Sequence, residues 1–172
     1  MTAVATSQPV ARIATPDDAA DIARIYNEGI DDRVATFETR HRTQEDIAAW
    51  FGTRYPVVVV EHDGAVVGFA STSTYRPREC YDGIAEYSVY VARNARGKGV
   101  GQVALQALFE AAREAGFWKL VSRIFPENTS SLRLMKKLGF REVGTYYKHG
   151  KLDGQWRDVV IVEKLLIDDD QD

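Results

Sequence analysis

One stretch limits the fold of this 172-residue chain more than any other: Ile84 to Gly101, I-A-E-Y-S-V-Y-V-A-R-N-A-R-G-K-G-V-G. In its first half Ala85, Tyr87, Val89 and Val91 alternate with Glu86, Ser88 and Tyr90, and most are β-branched or aromatic, the pattern of a strand. Its second half is a basic turn punctuated by glycine, Arg96-Gly97-Lys98-Gly99-Val100-Gly101, and an apolar-periodic helix follows at once. A strand, a glycine-rich turn and a helix N-terminus together suit a pyrophosphate. The glycines admit a close backbone, the first N–H groups of the helix point outward, and the helix dipole favours an anion. Arg96 and Lys98 add positive charge, and Glu86 supplies a carboxylate ten residues upstream. By itself the R-x-x-G-x-G pattern is short, and a tight turn before a helix reads the same way. A Walker loop needs G-x-x-x-x-G-K-[ST], which is absent, and a dinucleotide fingerprint needs G-x-G-x-x-G with an acid beyond the next strand. That strand ends here in Arg123 and Ile124.

The length suits one domain with a sizeable core, and 45% apolar with 27% charged residues is a globular profile. A net charge of −3 argues against a broad nucleic-acid surface. The single cysteine, Cys80, excludes an internal disulfide framework, fits a reducing compartment and has no partner for a metal site, so no metal is expected. The longest apolar run, Val57 to Val60, is too short to span a membrane, and no signal pattern opens the chain. The expected location is the cytoplasm. Residues 1–9 and the acidic 168–172 are expected to be flexible tails around one domain at 10–167.

Thr15-Pro16-Asp17-Asp18 is a helix start, and Ile22, Ile25, Tyr26 and Ile30 continue one apolar face. Thr43-Gln44-Glu45-Asp46 opens a second helix by the capping-box pattern, and Pro56 ends it. Val57 to Glu61 and Ala65 to Thr74 flank Asp63-Gly64, a hairpin signal. The Glu86 strand comes next, then a helix from Gly99 to Ala115 stopped by Gly116, a strand from Lys119 to Ile124, and a helix from Asn128 to Leu138. Two strands, about Glu142 to Lys148 and Gln155 to Lys164, close the chain over a turn at Gly150 to Gly154. The order β-α-α-β-β-β-α-β-α-β-β predicts an α/β (α+β) fold with a mixed sheet and helices on both faces.

That order, with R-x-x-G-x-G opening the third helix and Asn128-Thr129-Ser130-Ser131 followed by Lys137-Leu138-Gly139-Phe140, resembles the GNAT superfamily of acetyl-CoA-dependent N-acetyltransferases over roughly residues 11–166. Tyr26-Asn27, Thr36-Phe37-Glu38, Tyr81-Asp82, Ala85-Glu86, Val89-Tyr90-Val91, Lys148-His149-Gly150 and Trp156-x-Asp158-Val159 resemble its phosphinothricin acetyltransferase branch. That branch includes enzymes for methionine sulfoximine and arsinothricin, and it acetylates the α-amine of glutamate-like toxins. The resemblance implies a mostly antiparallel sheet of about seven strands, with the fourth and fifth splayed apart, and a homodimer. Other amines (aminoglycosides, polyamines, protein N-termini) and a non-catalytic CoA-binding module are the rival readings.

The resemblance implies that Arg96, Gly97, Lys98, Gly99, Val100 and Gly101 hold CoA pyrophosphate. The pantetheine arm would follow Val89, Tyr90 and Val91, with Asn128, Ser131 and Lys137 beside CoA. The Val89 N–H would meet the thioester oxygen, and Glu86 would be the base, where a strand glutamate paired with a neighbouring cation is the plainer reading. Arg76 and Arg78 would clamp a tetrahedral anion, against solvated loop charge. Phe37 and Tyr81 would wall the acceptor pocket, against ordinary packing, and His149 would stand near the active site, against a structural turn. Met135 stands where many superfamily members carry a tyrosine acid. The longer Lys151 to Gln155 segment departs from the branch's K-H-G-x-W-x-D.

Overall fold

The computed structural model describes residues 7–168; the remainder of the two tails expected at 1–9 and 168–172 lies outside the described residues. Seven strands form one sheet in the order β1-β2-β3-β4-β5-β7-β6. They are β1 (Val10–Ile13), β2 (Val57–His62), β3 (Ala65–Thr74), β4 (Ile84–Val91), β5 (Lys119–Ile124), β6 (Arg141–Leu152) and β7 (Gln155–Leu165). Every neighbouring pair is antiparallel except β4 with β5. The helices are α1 (Ala19–Asp32), α2 (Gln44–Ala48), α3 (Val100–Glu114) and α4 (Thr129–Lys137).

Local chemistry sets most boundaries. Asp18 ends a short 3-10 turn over Pro16–Asp18 before α1 begins, and its carboxylate accepts from the Thr15 N–H and from both terminal nitrogens of Arg12. The capping box at Thr43 is formed, but α2 has only five residues. Trp50 and Phe51 pack on the core from the turns that follow. One face of the sheet takes α1, whose Tyr26 meets Phe69 and Tyr90 edge-on or tilted. The other face takes α3 and α4, with Met135 and Phe140 against Tyr87.

The last hairpin departs from expectation. The chain reverses at Asp153-Gly154, both at positive φ, and not across a longer turn. Lys151 and Leu152 stay in β6, opposite Trp156 and Gln155. Asp-Gly is a strong two-residue hairpin signal, and Leu152 is buried with Phe125 and Val159. The added residues therefore lengthen the ribbon, and a register shift between Tyr146 and Gly150 absorbs the misfit. Arg33 ties the tip to the end of α1 through Asp153 at 2.9 Å. Among the described residues no helix is long and apolar enough to cross a membrane.

Candidate active site

The site lies where β4 and β5 part. Their parallel pairing ends at Glu86 opposite Val121, so β4 runs on from Tyr87 to Val91 with one edge uncovered. The Ala92 N–H bonds the Val67 carbonyl at 2.8 Å, which sets the phase of the β3–β4 ladder. By alternation the Val89 N–H then points away from β3, into the gap. Two carbonyls on that edge are already engaged: Tyr87 accepts from Ser122 Oγ at 3.0 Å and Val91 from Arg96 Nε at 3.2 Å.

On one side of the gap is a cleft of about 670 Å³, walled by β4, the end of α1 and the residues after it, the turn before α3, and α4 along its length. Val89, Tyr90, Val91, Arg96, Gly97, Gly99, Val100, Gly101, Asn128, Ser131 and Lys137 all line it. Gly99 has φ +79°, in the left-handed region, as the residue before the first turn of α3. Asp32, which also lines the cleft, fixes the turn at 2.8 Å from Arg93 and 2.6 Å from Arg96. Burial alone would raise the Asp32 pKa, but hydrogen bonds from the two arginines hold it below the usual carboxylate range. Lys98 stands outside the lining; its ammonium turns back to the Asn94 carbonyl at 3.5 Å. Asn128 Oδ1 is occupied as the cap of α4, accepting from the Ser131 N–H.

On the other side is a smaller cavity of about 340 Å³, lined by Glu86, Ser88, Ser122 and Arg123 together with Phe37, Phe125, Tyr26 and Val159. Phe37 stands edge-on to Phe125, with 4.9 Å between the ring centres. Tyr90 borders both spaces, and its ring lies so near α1 that a Cβ at Gly29 would come within 2.5 Å of it. A third, smaller cavity, lined among others by Ser88, Val89, Ser122 and Ser131, shares lining residues with both. Glu86 is paired: its Oε1 is 2.8 Å from Arg123 Nη2. A neighbouring cation was the plainer sequence reading of Glu86, but the sequence did not name Arg123 as that partner. Glu86 and Arg123 are 37 residues apart, and nothing local announces that parallel strands set them side by side.

Other expected site residues lie elsewhere in this single chain. Arg76 and Arg78 border a separate depression with Tyr55, Thr74 and Asp82, and Arg76 sits over the Tyr75 ring at 5.3 Å. Tyr81 borders that depression and meets Tyr75 edge-on. His149 stacks on Tyr146 at 4.4 Å. Met135 is buried, with the Tyr87 hydroxyl donating to its sulfur. Burial pushes the Tyr87 pKa far up, so this phenol stays protonated throughout the neutral range. Among the described residues no group of three or more His, Cys, Asp or Glu side chains is placed to hold a metal ion.

A family model for the acetyltransferase (GNAT) family matches residues 22–140. An L-methionine sulfoximine/L-methionine sulfone acetyltransferase of Pseudomonas aeruginosa is 37% identical over 157 residues, covering 87% of this chain and 90% of that protein. A phosphinothricin acetyltransferase of Sinorhizobium meliloti, solved in complex with acetyl-CoA, superposes with a TM-score of 0.85 at 32% identity, over 92% of this chain and 89% of that one. A ribosomal-protein-alanine N-acetyltransferase of Brucella melitensis superposes with a TM-score of 0.86 at 36% identity, over 91% and 99%. The family is that of a nucleotide thioester donor, and this cleft has what such a donor needs: a glycine turn at a helix N-terminus, then an uncovered strand edge leading inward. The chain belongs to the acetyltransferase (GNAT) family and is an acetyl-CoA-dependent N-acetyltransferase.

Proposed function

We propose that the chain acetylates the α-amine of a small glutamate-like toxic amino acid, of the phosphinothricin, methionine sulfoximine or arsinothricin kind, and so detoxifies it. The observation that carries this is the pair of neighbouring spaces at the strand gap, which share Ala35 and Tyr90 in their linings. The larger one suits a nucleotide carrier, and the smaller, about 340 Å³, is near the low end for ligand clefts, about 300–1,000 Å³. The names of the Pseudomonas and Sinorhizobium relatives support the substrate class.

Acetyl-CoA, when bound, supplies an activated acyl carbon. The turn from Arg96 to Gly101 would hold its pyrophosphate, with Asn128, Ser131 and Lys137 beside the arm. The Val89 N–H, turned into the gap, would donate to the acyl oxygen, where a fixed donor is worth most as charge develops. An α-amine is mostly protonated near neutrality. Glu86 Oε2 would take that proton, directly or through one water, while Oε1 keeps its contact with Arg123. Tyr87 remains a buried protonated phenol against Met135, and thiolate leaves without an assigned acid. Arg76 and Arg78 have no part in this proposal, because they border another depression.

The Brucella relative favours a second reading, a protein N-terminus as acceptor. The deciding experiment is free-thiol release from acetyl-CoA with the three toxins, ordinary amino acids, a polyamine and an alanine-starting peptide side by side. Acetylation of at least one of the three toxins far faster than of the peptide is expected. Turnover with the peptide alone would overturn the proposal, and CoA binding with no turnover on any amine would make the chain a binding module.

A further inference from the structure

The acceptor cavity has two carboxylates and, among the described residues that line it, a single cation, Arg123. Glu38, the second carboxylate, is already met by Arg42 at 2.7 Å, and Arg42 lies over the Tyr26 ring at 5.6 Å. Arg157, just outside, sits over Phe125 at 5.5 Å and is 3.8 Å from Glu127. A substrate carboxylate entering this cavity therefore meets two like charges and one guanidinium. Arg123 makes only one contact of its own there, Nη2 to Glu86 Oε1 at 2.8 Å. Its side chain is half exposed, with a relative accessibility of 53%, so the rest of its fork can turn to a ligand without burying an unpaired charge.

We infer that Arg123 binds the α-carboxylate of the acceptor, so that Glu86 and Arg123 together form a receptor for the zwitterionic end of an amino acid. The reason is geometric. An α-amino acid carries its ammonium and its carboxylate on one carbon, and the cavity lining carries a carboxylate and a guanidinium in ion-pair contact at 2.8 Å. Glu86 and Val121 are paired across the parallel ladder, and Arg123 stands two residues further along the same face of β5. The ammonium goes to Glu86, where its proton is taken, and the carboxylate goes to Arg123, which fixes the angle at which the nitrogen faces the gap. Glu86 alone would serve any amine. Arg123 is what makes the carboxylate matter, so it determines specificity.

The inference rests on the amino-acid reading proposed above, and one experiment separates the two. Wild type, Arg123→Ala and Arg123→Gln are assayed with the best amino-acid acceptor and with its decarboxylated amine. Losing one charge-assisted hydrogen bond corresponds to about 10- to 150-fold in specificity. Arg123→Ala should lose that much on the amino acid, chiefly through KM, and lose clearly less on the amine, which meets the guanidinium only indirectly through its contact with Glu86. Arg123→Gln should recover a small part, and melting temperature should stay near wild type for so exposed a side chain. An unchanged amino-acid KM, or equal losses on amino acid and amine, overturns the role of Arg123 and leaves the amino-acid reading standing. A wild type that acetylates the amine and no amino acid overturns both.

Discussion

Replacing Glu86 by glutamine keeps the shape of the side chain and removes its basicity. Two costs follow, and the structure separates them. The first is kinetic: general-base catalysis typically contributes about 100- to 10,000-fold, or roughly 2.7–5.5 kcal/mol of barrier. The second is structural: the ion pair to Arg123 is lost. Its partners have side-chain accessibilities of 23% for Glu86 and 53% for Arg123. At that exposure water and salt screen most of the attraction, and such pairs are worth about 0–1 kcal/mol. Catalysis should thus fall far more than stability. The assay is initial velocity of thiol release, with acetyl-CoA affinity by calorimetry and melting temperature as controls. Cys80 is exposed and will react with a thiol reagent, so a protein-only blank is needed. The expected outcome is a turnover loss of about two to four decades with cofactor affinity and melting temperature nearly unchanged. A Glu86→Gln enzyme retaining more than half the wild-type rate across pH would place the base elsewhere.

Gly99→Val has room for its side chain, since no atom stands within 4 Å of a Cβ there, yet its φ of +79° is strained for any L residue. That strain, about 1–3 kcal/mol, should reshape the turn and raise the KM for acetyl-CoA in a folded protein; an unchanged KM would remove the anion-cradle assignment. Hydrogen bonds from Arg12 hold the Asp18 pKa below its ordinary value, so the carboxylate stabilises the fold above about pH 4 and ceases to as pH falls through its folded pKa. Asp18→Asn should cost roughly 1–3 kcal/mol at pH 7, discounted because Arg12 is partly exposed, and the gap in melting temperature from wild type should narrow toward pH 3; a gap independent of pH would refute the linkage. Tyr146, Tyr147 and Trp156 are 51%, 80% and 55% exposed on the last hairpin, which fits the homodimer the family resemblance implies; a light-scattering mass near the 19.3 kDa of one chain at micromolar concentration would refute it.

What was legible in the sequence is what short-range chemistry determines. Strand alternation, the capping box at Thr43 and the Asp63-Gly64 turn act over a few residues, so β3 and β5 were read to the residue and α3 and α4 to within one at each end. The turn from Arg96 to Gly101 is likewise contiguous, and it lines the larger cleft apart from Lys98. The last hairpin was misread because Gly150 and Gly154 both look like turn residues. Only burial of Leu152 beside Phe125 and Val159 decides which of them reverses the chain. The acceptor side was least legible. Arg76 and Arg78 follow β3 and look adjacent to Glu86 in order, yet the loop carries them to another depression. Arg123, unremarkable in sequence, is the cation that meets Glu86, because partnership across parallel strands depends on register and leaves no local trace.

The strand gap also explains why one place serves both halves of the reaction. A sheet edge normally presents donors and acceptors alternately, and it will pair with any strand. Here Ser122 engages the Tyr87 carbonyl and Arg96 engages the Val91 carbonyl, and both bonds come from side chains of this same chain. Between them lies the Val89 N–H, turned into the gap by the phase of the ladder. Capping the flanking acceptors makes this edge a poor template for another strand and a better one for a ligand oxygen. The two faces beside the gap then divide the work by charge. The larger cleft presents the α3 N-terminus, Lys137 and an Arg96 already paired with Asp32, while the smaller cavity presents Glu86. On the proposed reading, a thioester lying through the gap would be held by donors on one side and would meet a carboxylate-bound amine on the other. The separation follows from strand pairing that stops at Glu86. Extending the ladder past Glu86, for instance by a Ser122 substitution that lets β5 close on Tyr87, should abolish turnover while raising the melting temperature.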